Sequence, residues 1–348
     1  MKKYLELFTE GFPSDIAEKT AIENKPYVAY SIKDSKVAYT IVPNDDKTMY
    51  TIYRVVKKDI SNLEYNAVDL GLPSGLKWAD RNIGATTPEE YGSYFQWGDT
   101  EGFTCEMEGK MSADELAELF QLLFGDEMEI TADNLHDVLN MYFEEYLEDY
   151  GLDDIGYDLR KLGLCVSLDK SFGEWDNYKY CNGDNYSLTK YNTDTAKGIV
   201  DNKTVLDLED DAAYTHMGSE WRMPTKEDIE ELINNTTLRI VDMQDNEYSI
   251  EDMSDLDLYT NMKGMYFIGE NGNSIFIPAS TYLSEGNFVS GLQISATTWG
   301  STLITDLPSS GEQYNNLMGG SLYGRYDGRV SYGNDYRCYG LAVRGVKA

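Results

Sequence analysis

Few residues of this chain are of the types that act as catalytic bases or nucleophiles. There are two histidines, His136 and His216, and four cysteines at positions 105, 165, 181 and 338. No HExxH motif surrounds His136, and no two cysteines form a CxxC pair. Because acid–base and thiolate chemistry need such groups held close together, the sequence predicts a protein that is not an enzyme. The cysteines are interpreted as reduced packing residues, with a Cys165–Cys181 disulfide as the alternative.

The strongest functional signal lies near the C-terminus, where tyrosine and arginine alternate with small residues. Between positions 314 and 339 there are six tyrosines, three arginines and five glycines. Aromatic rings supply contact area at a small entropic cost, and small residues let the backbone adapt to a ligand. We predict a binding surface here; the alternative is that the tyrosines only fill the sheet and its loops. The predicted ligand-binding residues are Tyr323, Arg325, Tyr326, Asp327, Arg329, Tyr332, Asn334, Asp335 and Tyr336.

Acidic strings are the candidates for metal binding. The string 125–134 lacks the ligand spacing and central glycine of an EF-hand loop, so we reject it as a calcium site. None of the triplets EPN, QPD or WND, with which calcium-dependent lectins bind sugars, is present. The string Asp-Leu-Glu-Asp-Asp at 207–211 could hold a structural calcium ion. Apart from that possibility, the sequence predicts no cofactor.

The charge of the chain excludes several classes of partner. Lys and Arg number 29 and Asp and Glu number 61, so the net charge is −32. Such a charge repels phosphate backbones and anionic lipids, and we therefore expect neither nucleic-acid binding nor membrane insertion. With 41% hydrophobic residues and 28 tyrosines, the chain is too apolar to stay disordered. No apolar run follows the first lysines as in a signal peptide, which favours synthesis in a cytoplasm.

The chain divides into three regions by composition. Residues 1–65 contain a helix start at Ser14 and apolar runs at 27–32, 37–42 and 49–56, which predict a small β-rich anchoring module. Residues 101–170 carry 19 acidic and four basic residues. There, a capping box at Ser112 and helical apolar spacing up to Tyr146 predict an acidic helical hairpin. The third region joins 66–100 to 171–348.

The third region has sequence patterns of a sheet with long loops. Strands are predicted at 274–280 and 339–346, and a helix is predicted to begin at Thr225, with Ile229, Leu232 and Ile233 on its buried face. Three tryptophans, at positions 78, 97 and 221, are predicted to lie in the core. Arg222 and Arg344 follow apolar residues and are predicted to brace loops by hydrogen bonds.

Seven strings of the third region, in order, resemble one family. They are DLGLPSGLKWADRNIGA (69–85), YFQWGDT (94–100), YKYCNGDNYSLTKYNTD (178–194), DNKTVLDLEDDAA (201–213), EWRMPTKEDIEELI (220–233), GNSIFIPA (272–279) and YGLAVRGV (339–346). Together they resemble the C-type-lectin-fold domains of Bacteroidota and their phages, a group related to formylglycine-generating enzymes and to retroelement-diversified receptor-binding proteins. In those diversified relatives, the variable positions lie just before a final strand, the place that 322–337 occupies here.

The resemblance and the residues together lead to one expectation. It is an α+β protein with a C-type-lectin-like domain over 66–348, an acidic helical-hairpin insertion at 101–170 and an N-terminal anchor at 1–65. The resemblance implies a phage virion protein, a fibre or capsid decoration, that is homotrimeric and binds a glycan or protein on the host surface. Residues 1–65 would then contact other virion proteins. An exported bacterial adhesin is the alternative.

A second alternative is an enzyme of the formylglycine-generating type. Those enzymes hold copper with a pair of nearby cysteines late in the chain. Here only Cys338 stands late in the sequence, and the preceding cysteine is Cys181. The family pair is not present, so the resemblance does not extend to oxidase chemistry.

Overall fold

A computed structural model of the chain describes most of the third region and parts of the other two. Contacts divide the chain into two compact units. The smaller comprises Met1–Val56, Glu106–Lys170 and Gly286–Gly291, and the larger comprises Lys57–Cys105, Ser171–Glu285 and Leu292–Ala348. The described residues are 38–43, 48–56, 60, 63–124, 129–135, 137, 164–166, 175–250, 262–280, 282–284, 287–288 and 295–348.

The described residues form a β-rich fold, so the expected α+β class with a helical-hairpin insertion is wrong. Within those residues there are 18 strands and three α-helices of six to 12 residues. The helices are α1 (Ala113–Phe124), α2 (Ala212–Met217) and α3 (Lys226–Asn234). The strands are β1 (Ala38–Pro43), β2 (Met49–Val56), β3 (Ala67–Asp69), β4 (Lys77–Ala79), β5 (Ser93–Gln96), β6 (Phe103–Ser112), β7 (Leu164–Val166), β8 (Thr236–Asp242), β9 (Glu247–Ser249), β10 (Met262–Gly269), β11 (Ser274–Pro278), β12 (Leu283–Ser284), β13 (Asn287–Phe288), β14 (Ser295–Leu303), β15 (Met318–Arg325), β16 (Val330–Tyr336), β17 (Gly340–Val343) and β18 (Val346–Lys347).

The acidic insertion begins with a strand and not with a helix. In β6 (FTCEMEGKMS), Phe103, Cys105, Met107 and Met111 alternate with polar residues, which is the two-residue period of a strand. A high content of acidic residues does not by itself distinguish a strand from a helix. The capping box between Ser112 and Glu115 is confirmed at the start of α1, where each residue bonds the backbone N–H of the other. The predicted second helix lies mostly outside the described residues.

The smaller unit contains an antiparallel sheet. β1 pairs with β2 from Ala38 opposite Val55 to Pro43 opposite Tyr50, so the apolar runs at 37–42 and 49–56 are strands. β7 pairs with the other edge of β1. The helix predicted after Ser14 and the strand predicted at 27–32 lie outside the described residues.

The larger unit is built on three sheets. In the principal one, strands lie in the order β16-β15-β14-β17-β5, antiparallel except for β14 and β17. A second sheet has the order β11-β10-β8-β9 and a third has the order β18-β4-β3. The predicted strands at 274–280 and 339–346 are confirmed as β11 and as β17 followed by β18.

Two hydrophobic clusters form the core of the larger unit. One surrounds Trp97 and Trp299, and the other packs α3 against the second sheet. Trp78 and Trp97 are fully buried and Trp221 nearly so, which confirms the predicted core tryptophans. The helix start at Thr225 is also confirmed, since Thr225 and Asp228 form a capping box.

The two arginines predicted to brace loops differ in burial. Arg344 is fully buried and donates hydrogen bonds to the Oδ1 of Asn82 and to the carbonyls of Ala79 and Phe276, at 2.8–2.9 Å. Burial lowers its pKa to about 9. Arg222 is partly exposed and pairs with Asp228 at the start of α3. Both predictions of a bracing arginine are confirmed.

Among the described residues, no helix combines the length and the apolar character needed to cross a membrane.

Candidate functional site

The nine predicted binding residues lie in one β-hairpin at the edge of the principal sheet. β15 and β16 pair in register from Met318 opposite Tyr336 to Gly324 opposite Val330. The connecting turn is closed by a bond of 2.8 Å from the Arg325 N–H to the Arg329 carbonyl. Gly328 adopts φ +84° in this turn, a left-handed conformation that favours glycine. The turn therefore has a defined backbone that presents the side chains around it.

Four of the predicted residues form a contiguous cluster at the end of the hairpin, which we call the tip cluster: Arg325, Tyr326, Asp327 and Arg329. The Asp327 carboxylate accepts a hydrogen bond of 2.8 Å from Arg329 Nε and lies 3.4 Å from Arg325 Nε. The guanidinium of Arg325 stands 4.9 Å from the centre of the Tyr326 ring and donates to its hydroxyl at 3.1 Å. Partial burial alone would raise the pKa of Asp327. The hydrogen bonds from Arg329 have the larger effect, so the pKa is lowered.

The tip cluster combines an ordered arrangement with exposure to solvent. The Arg329 side chain is 70% exposed, whereas those of Arg325 and Asp327 are 35% and 27% exposed. The ion pairs hold both guanidinium groups in defined positions, which reduces the entropy lost when a ligand binds. Two arginines and one aspartate leave this cluster with a net charge of +1. Such a cluster can bind a carboxylate, a sulfate or a hydroxyl-rich ligand.

The remaining predicted residues lie along the strands and are divided between two faces. Tyr332, Asn334 and Tyr336 lie on one face of β16, and Tyr323 and Asp335 lie on the opposite face of the hairpin. Of these five residues, only Asn334 is exposed, and the other four are partly buried. The structure thus brings four predicted residues together at the tip and separates the other five.

Tyr332 and Tyr336 make core contacts. Tyr332 packs against the second hydrophobic cluster and fits over Gly320, where an added Cβ would lie 1.7 Å from its hydroxyl. Burial raises the pKa of Tyr332. The ring of Tyr336 lies 5.3–6.2 Å from the rings of Trp175, Tyr314 and Tyr339, and burial raises its pKa to about 12. For these two tyrosines, the geometry favours the alternative that they fill the sheet.

Asp335 is a partly buried carboxyl group. Ser321 Oγ donates to its Oδ2 at 2.8 Å, and among the residues described no lysine or arginine pairs with it. Burial raises the pKa of Asp335 to about 6. Ionising this carboxyl group therefore costs more free energy in the folded chain than in water, and below about pH 6 the group is mostly protonated.

Replacing Asp335 with asparagine is expected to stabilise the chain above pH 6. The folded pKa is about 6 and the ordinary value is 3.8, so ionisation opposes folding above about pH 6 and has no effect below pH 3.8. We expect Asp335→Asn to raise the free energy of unfolding by about 2–3 kcal/mol at pH 7.5 and to leave it unchanged near pH 3.5. Thermal unfolding from pH 3.5 to 8 measures this difference. A variant less stable than the wild type at pH 7.5 would contradict it.

Arg337 belongs to the same tyrosine- and arginine-rich segment but is a core residue. Its side chain is fully buried and makes four hydrogen bonds to protein groups. Three of its acceptors lie on residues 178–191, about 150 positions earlier in the chain. No sequence spacing indicates this network, because the fold alone brings these segments together.

The acidic string at 207–211 forms ion pairs with a lysine of the same chain, Lys190. Oxygens of Asp207, Glu209 and Asp210 lie within 4.8 Å of one another. The Lys190 ammonium is 2.7, 3.3 and 2.5 Å from them, respectively. Asp211 faces elsewhere and caps α2 by accepting the N–H groups of residues 213 and 214. The calcium ion stays a prediction, and Lys190 is the cation with which it would compete.

Three side chains of types that can act in catalysis, His216, Cys181 and Cys338, make contacts within the fold. His216 Nε2 lies 2.7 Å from the carbonyl of Thr100, and its ring packs on Phe95. Cys338 is buried, with 1% exposure, and Cys181 is a half-buried free thiol, which removes the alternative of a Cys165–Cys181 disulfide. Burial raises the pKa of the Cys181 thiol. The side chain of His136 lies outside the described residues.

Comparisons with known proteins give no match to a protein-family model, to a curated protein or to a solved structure. The resemblance to C-type-lectin-fold domains therefore stays a prediction from the seven strings quoted above.

Proposed function

We propose that this chain is a non-enzymatic structural protein of a phage particle, which binds a glycan or protein on the host surface through the tip cluster. The observation that carries the proposal is the ion-paired group of Arg325, Asp327 and Arg329. In it Arg329 is exposed and the other two are partly buried, beside Tyr326, which packs against the second hydrophobic cluster. This group has a net charge of +1 in a chain of net charge −32. A locally cationic site on an acidic protein directs anionic or polar ligands to one place.

The scaffold behind the tip supports a recognition role. The hairpin belongs to a sheet whose residues contribute to both hydrophobic clusters, and Tyr326 in the turn packs against the second cluster, so the turn is anchored to the core. Recognition residues commonly lie on such loops, because loops accept changes that a packed core does not. The chain can therefore alter its ligand by changing the tip while the fold persists.

The rest of the proposal comes from the family resemblance and from the charge. Residues 1–65 would attach the chain to other virion proteins, and the assembled protein would be a homotrimer made in the host cytoplasm. The net charge supports the expectation of no nucleic-acid or membrane partner. An exported adhesin of the bacterial surface would use the same tip, and the two differ in where the protein is found.

The enzymatic alternative has weaker support. A thiol that reacts with a peptide substrate has to reach solvent as a thiolate. Cys338 is buried and the pKa of Cys181 is raised, so neither is placed as a reactive thiol. These observations favour a binding protein over an oxidase of the formylglycine-generating type.

Removing the exposed charge at the tip is expected to reduce binding without loss of stability. We expect Arg329→Ala to weaken attachment of the fluorescently labelled full chain to a Bacteroidota strain at least tenfold. Its melting temperature should change by less than about 2 °C, because exposed substitutions have small effects. Lys203→Ala is the matched control, since Lys203 is also an exposed cation paired with one aspartate. Flow cytometry over a panel of strains measures attachment.

Two outcomes would contradict the proposed site. One is equal attachment of the wild type and Arg329→Ala, and the other is an equal loss in Arg329→Ala and Lys203→Ala. The first would place the contact elsewhere, and the second would show that only overall charge matters.

A further inference from the structure

β16 is the edge strand of the principal sheet. In the part of the chain that the structure describes, β15 is its only strand partner. The strand has seven residues, from Val330 to Tyr336, and its register with β15 has no shift. The side of β16 that faces away from β15 presents backbone N–H and C=O groups.

The register shows which backbone groups point away from β15. The bonds from the Arg325 N–H to the Arg329 carbonyl and from the Arg337 N–H to the Leu317 carbonyl belong to the same antiparallel ladder. Because hydrogen-bonded positions alternate along such a ladder, the N–H and C=O groups of Val330, Tyr332 and Asn334 point outward. Among the described residues, no backbone or side-chain group bonds them.

This edge lacks three of the common protections against pairing, namely proline, lysine and a bulge. Proteins block open edges with proline, lysine or a bulge, because an unpaired row of backbone groups is a template for another strand. β16 (VSYGNDY) contains neither proline nor lysine, and its one charged residue, Asp335, lies on the face shared with Tyr323. Helix α3 packs on the face that bears Tyr332, and the outward N–H and C=O groups of the strand itself have no partner among the described residues.

We propose that an extended polypeptide segment of the host surface partner pairs with this edge and adds a strand beside β16. The inference rests on the proposed function and narrows its ligand from a glycan or protein to a protein. Main-chain hydrogen bonds supply affinity in such strand addition, and side chains near the strand supply specificity. A second copy of this chain is the alternative occupant, and the oligomeric state tests it below.

The two ends of β16 define the chemistry of the segment. The tip cluster, with a net charge of +1, lies at the Val330 end, and the rings of Trp175, Tyr314 and Tyr336 lie at the other end. A strand rises about 3.3 Å per residue, so these ends are about 20 Å apart. The expected segment has an acidic residue at one end and an aromatic or large apolar residue about six positions away.

A synthetic peptide tests this inference with the full chain. The probe is the fluorescein-labelled peptide Asp-Thr-Val-Thr-Val-Thr-Phe. Two control peptides have the same sequence with every second backbone nitrogen methylated, and the two differ in which alternate set is methylated. Fluorescence anisotropy measures their dissociation constants. We expect methylation of one register to weaken binding at least tenfold, because it removes the donors that meet the edge.

Substitutions at Asn334 test the same edge from the side of the protein. Asn334→Pro removes an outward N–H, which the isolated sheet does not use, and we expect peptide binding at least tenfold weaker. Asn334→Ala keeps the N–H, and we expect a change of less than threefold. The methylated peptides keep the test valid if Asn334→Pro does not fold.

The outcomes separate this inference from the proposed function. Equal binding of methylated and unmodified peptides would overturn strand pairing, while loss of cell attachment in Arg329→Ala would still support the tip cluster. If methylation does not weaken peptide binding and Arg329→Ala does not reduce cell attachment, both proposals are overturned. Analytical ultracentrifugation of the wild type and of Asn334→Pro tests whether a second copy of the chain pairs with β16. If the wild type is a dimer and Asn334→Pro is not, a second copy occupies the edge and the peptide proposal is overturned.

Discussion

Replacing Arg337 with methionine is expected to lower the free energy of unfolding by about 3–5 kcal/mol. The buried guanidinium donates to the Tyr178 hydroxyl at 2.9 Å and to the carbonyls of Lys190, Tyr191 and Asn316 at 2.9–3.0 Å. Methionine fills much of the same volume but leaves these acceptors without a donor. Each buried acceptor that loses its partner costs about 1–3 kcal/mol.

Urea unfolding measures the Arg337 effect. Arg337→Lys distinguishes charge from geometry, because one ammonium cannot reach four acceptors arranged around a planar guanidinium. It should lose nearly as much stability as Arg337→Met. Arg329→Met is the surface control, with an expected change of about 0.5 kcal/mol or less. A loss below about 1 kcal/mol for Arg337→Met would show that the four bonds contribute little net stability.

Replacing Lys190 with methionine is expected to lower the free energy of unfolding by about 2–4 kcal/mol at pH 7. Removal of the ammonium leaves Asp207, Glu209 and the nearly buried Asp210 together without their shared cation. Burial alone would raise the pKa of Asp210, but hydrogen bonds from Lys190, Tyr180 and Tyr191 hold it at about 2. Lys203 still pairs with Asp207 and Lys179 with Asp210, but the three carboxylates repel one another more strongly when no ammonium bridges all of them.

The pH dependence of the Lys190 effect has a definite sign. The folded pKa of Asp210 lies below its ordinary value of 3.8, so its contribution to stability is present above about pH 4 and disappears as the pH falls toward 2. The difference between the wild type and Lys190→Met should therefore shrink over that range. Thermal unfolding at pH 7, 4 and 2.5 measures it, and a difference that stays constant would contradict the pairing.

Calcium addition tests the metal prediction on the same variant. If the string 207–211 can bind a divalent cation, 5 mM calcium chloride should raise the melting temperature of Lys190→Met more than that of the wild type. An equal response in both proteins would contradict the calcium prediction.

Local features of the fold could be predicted from the sequence. The capping boxes at Ser112 and Thr225 and the core position of Trp97 follow from short-range patterns and from ring size, and the structure has all of them. The fold class could not be predicted as readily. The apolar spacing and acidic content of 101–170 predict a helical hairpin, but Phe103–Ser112 form the strand β6, and a helix begins only after Ser112.

The site was predictable as a segment and not residue by residue. Composition located the β15–β16 hairpin, but it could not separate exposed Arg329 from buried Arg337, because burial depends on residues more than 100 positions away. The same limit applies to Tyr332, which a glycine on the neighbouring strand accommodates. A two-residue period would have assigned the faces once the hairpin was recognised.

The location of the protein tests the central claim most directly. Phage particles purified from Bacteroidota cultures that carry this gene are labelled with a gold-conjugated antibody raised against residues 66–348, and cell envelopes are labelled in parallel. We expect gold on the particles, at capsid vertices or tail tips, and none on uninfected cells. Bare particles with labelled cell envelopes would contradict a virion protein and support the bacterial adhesin.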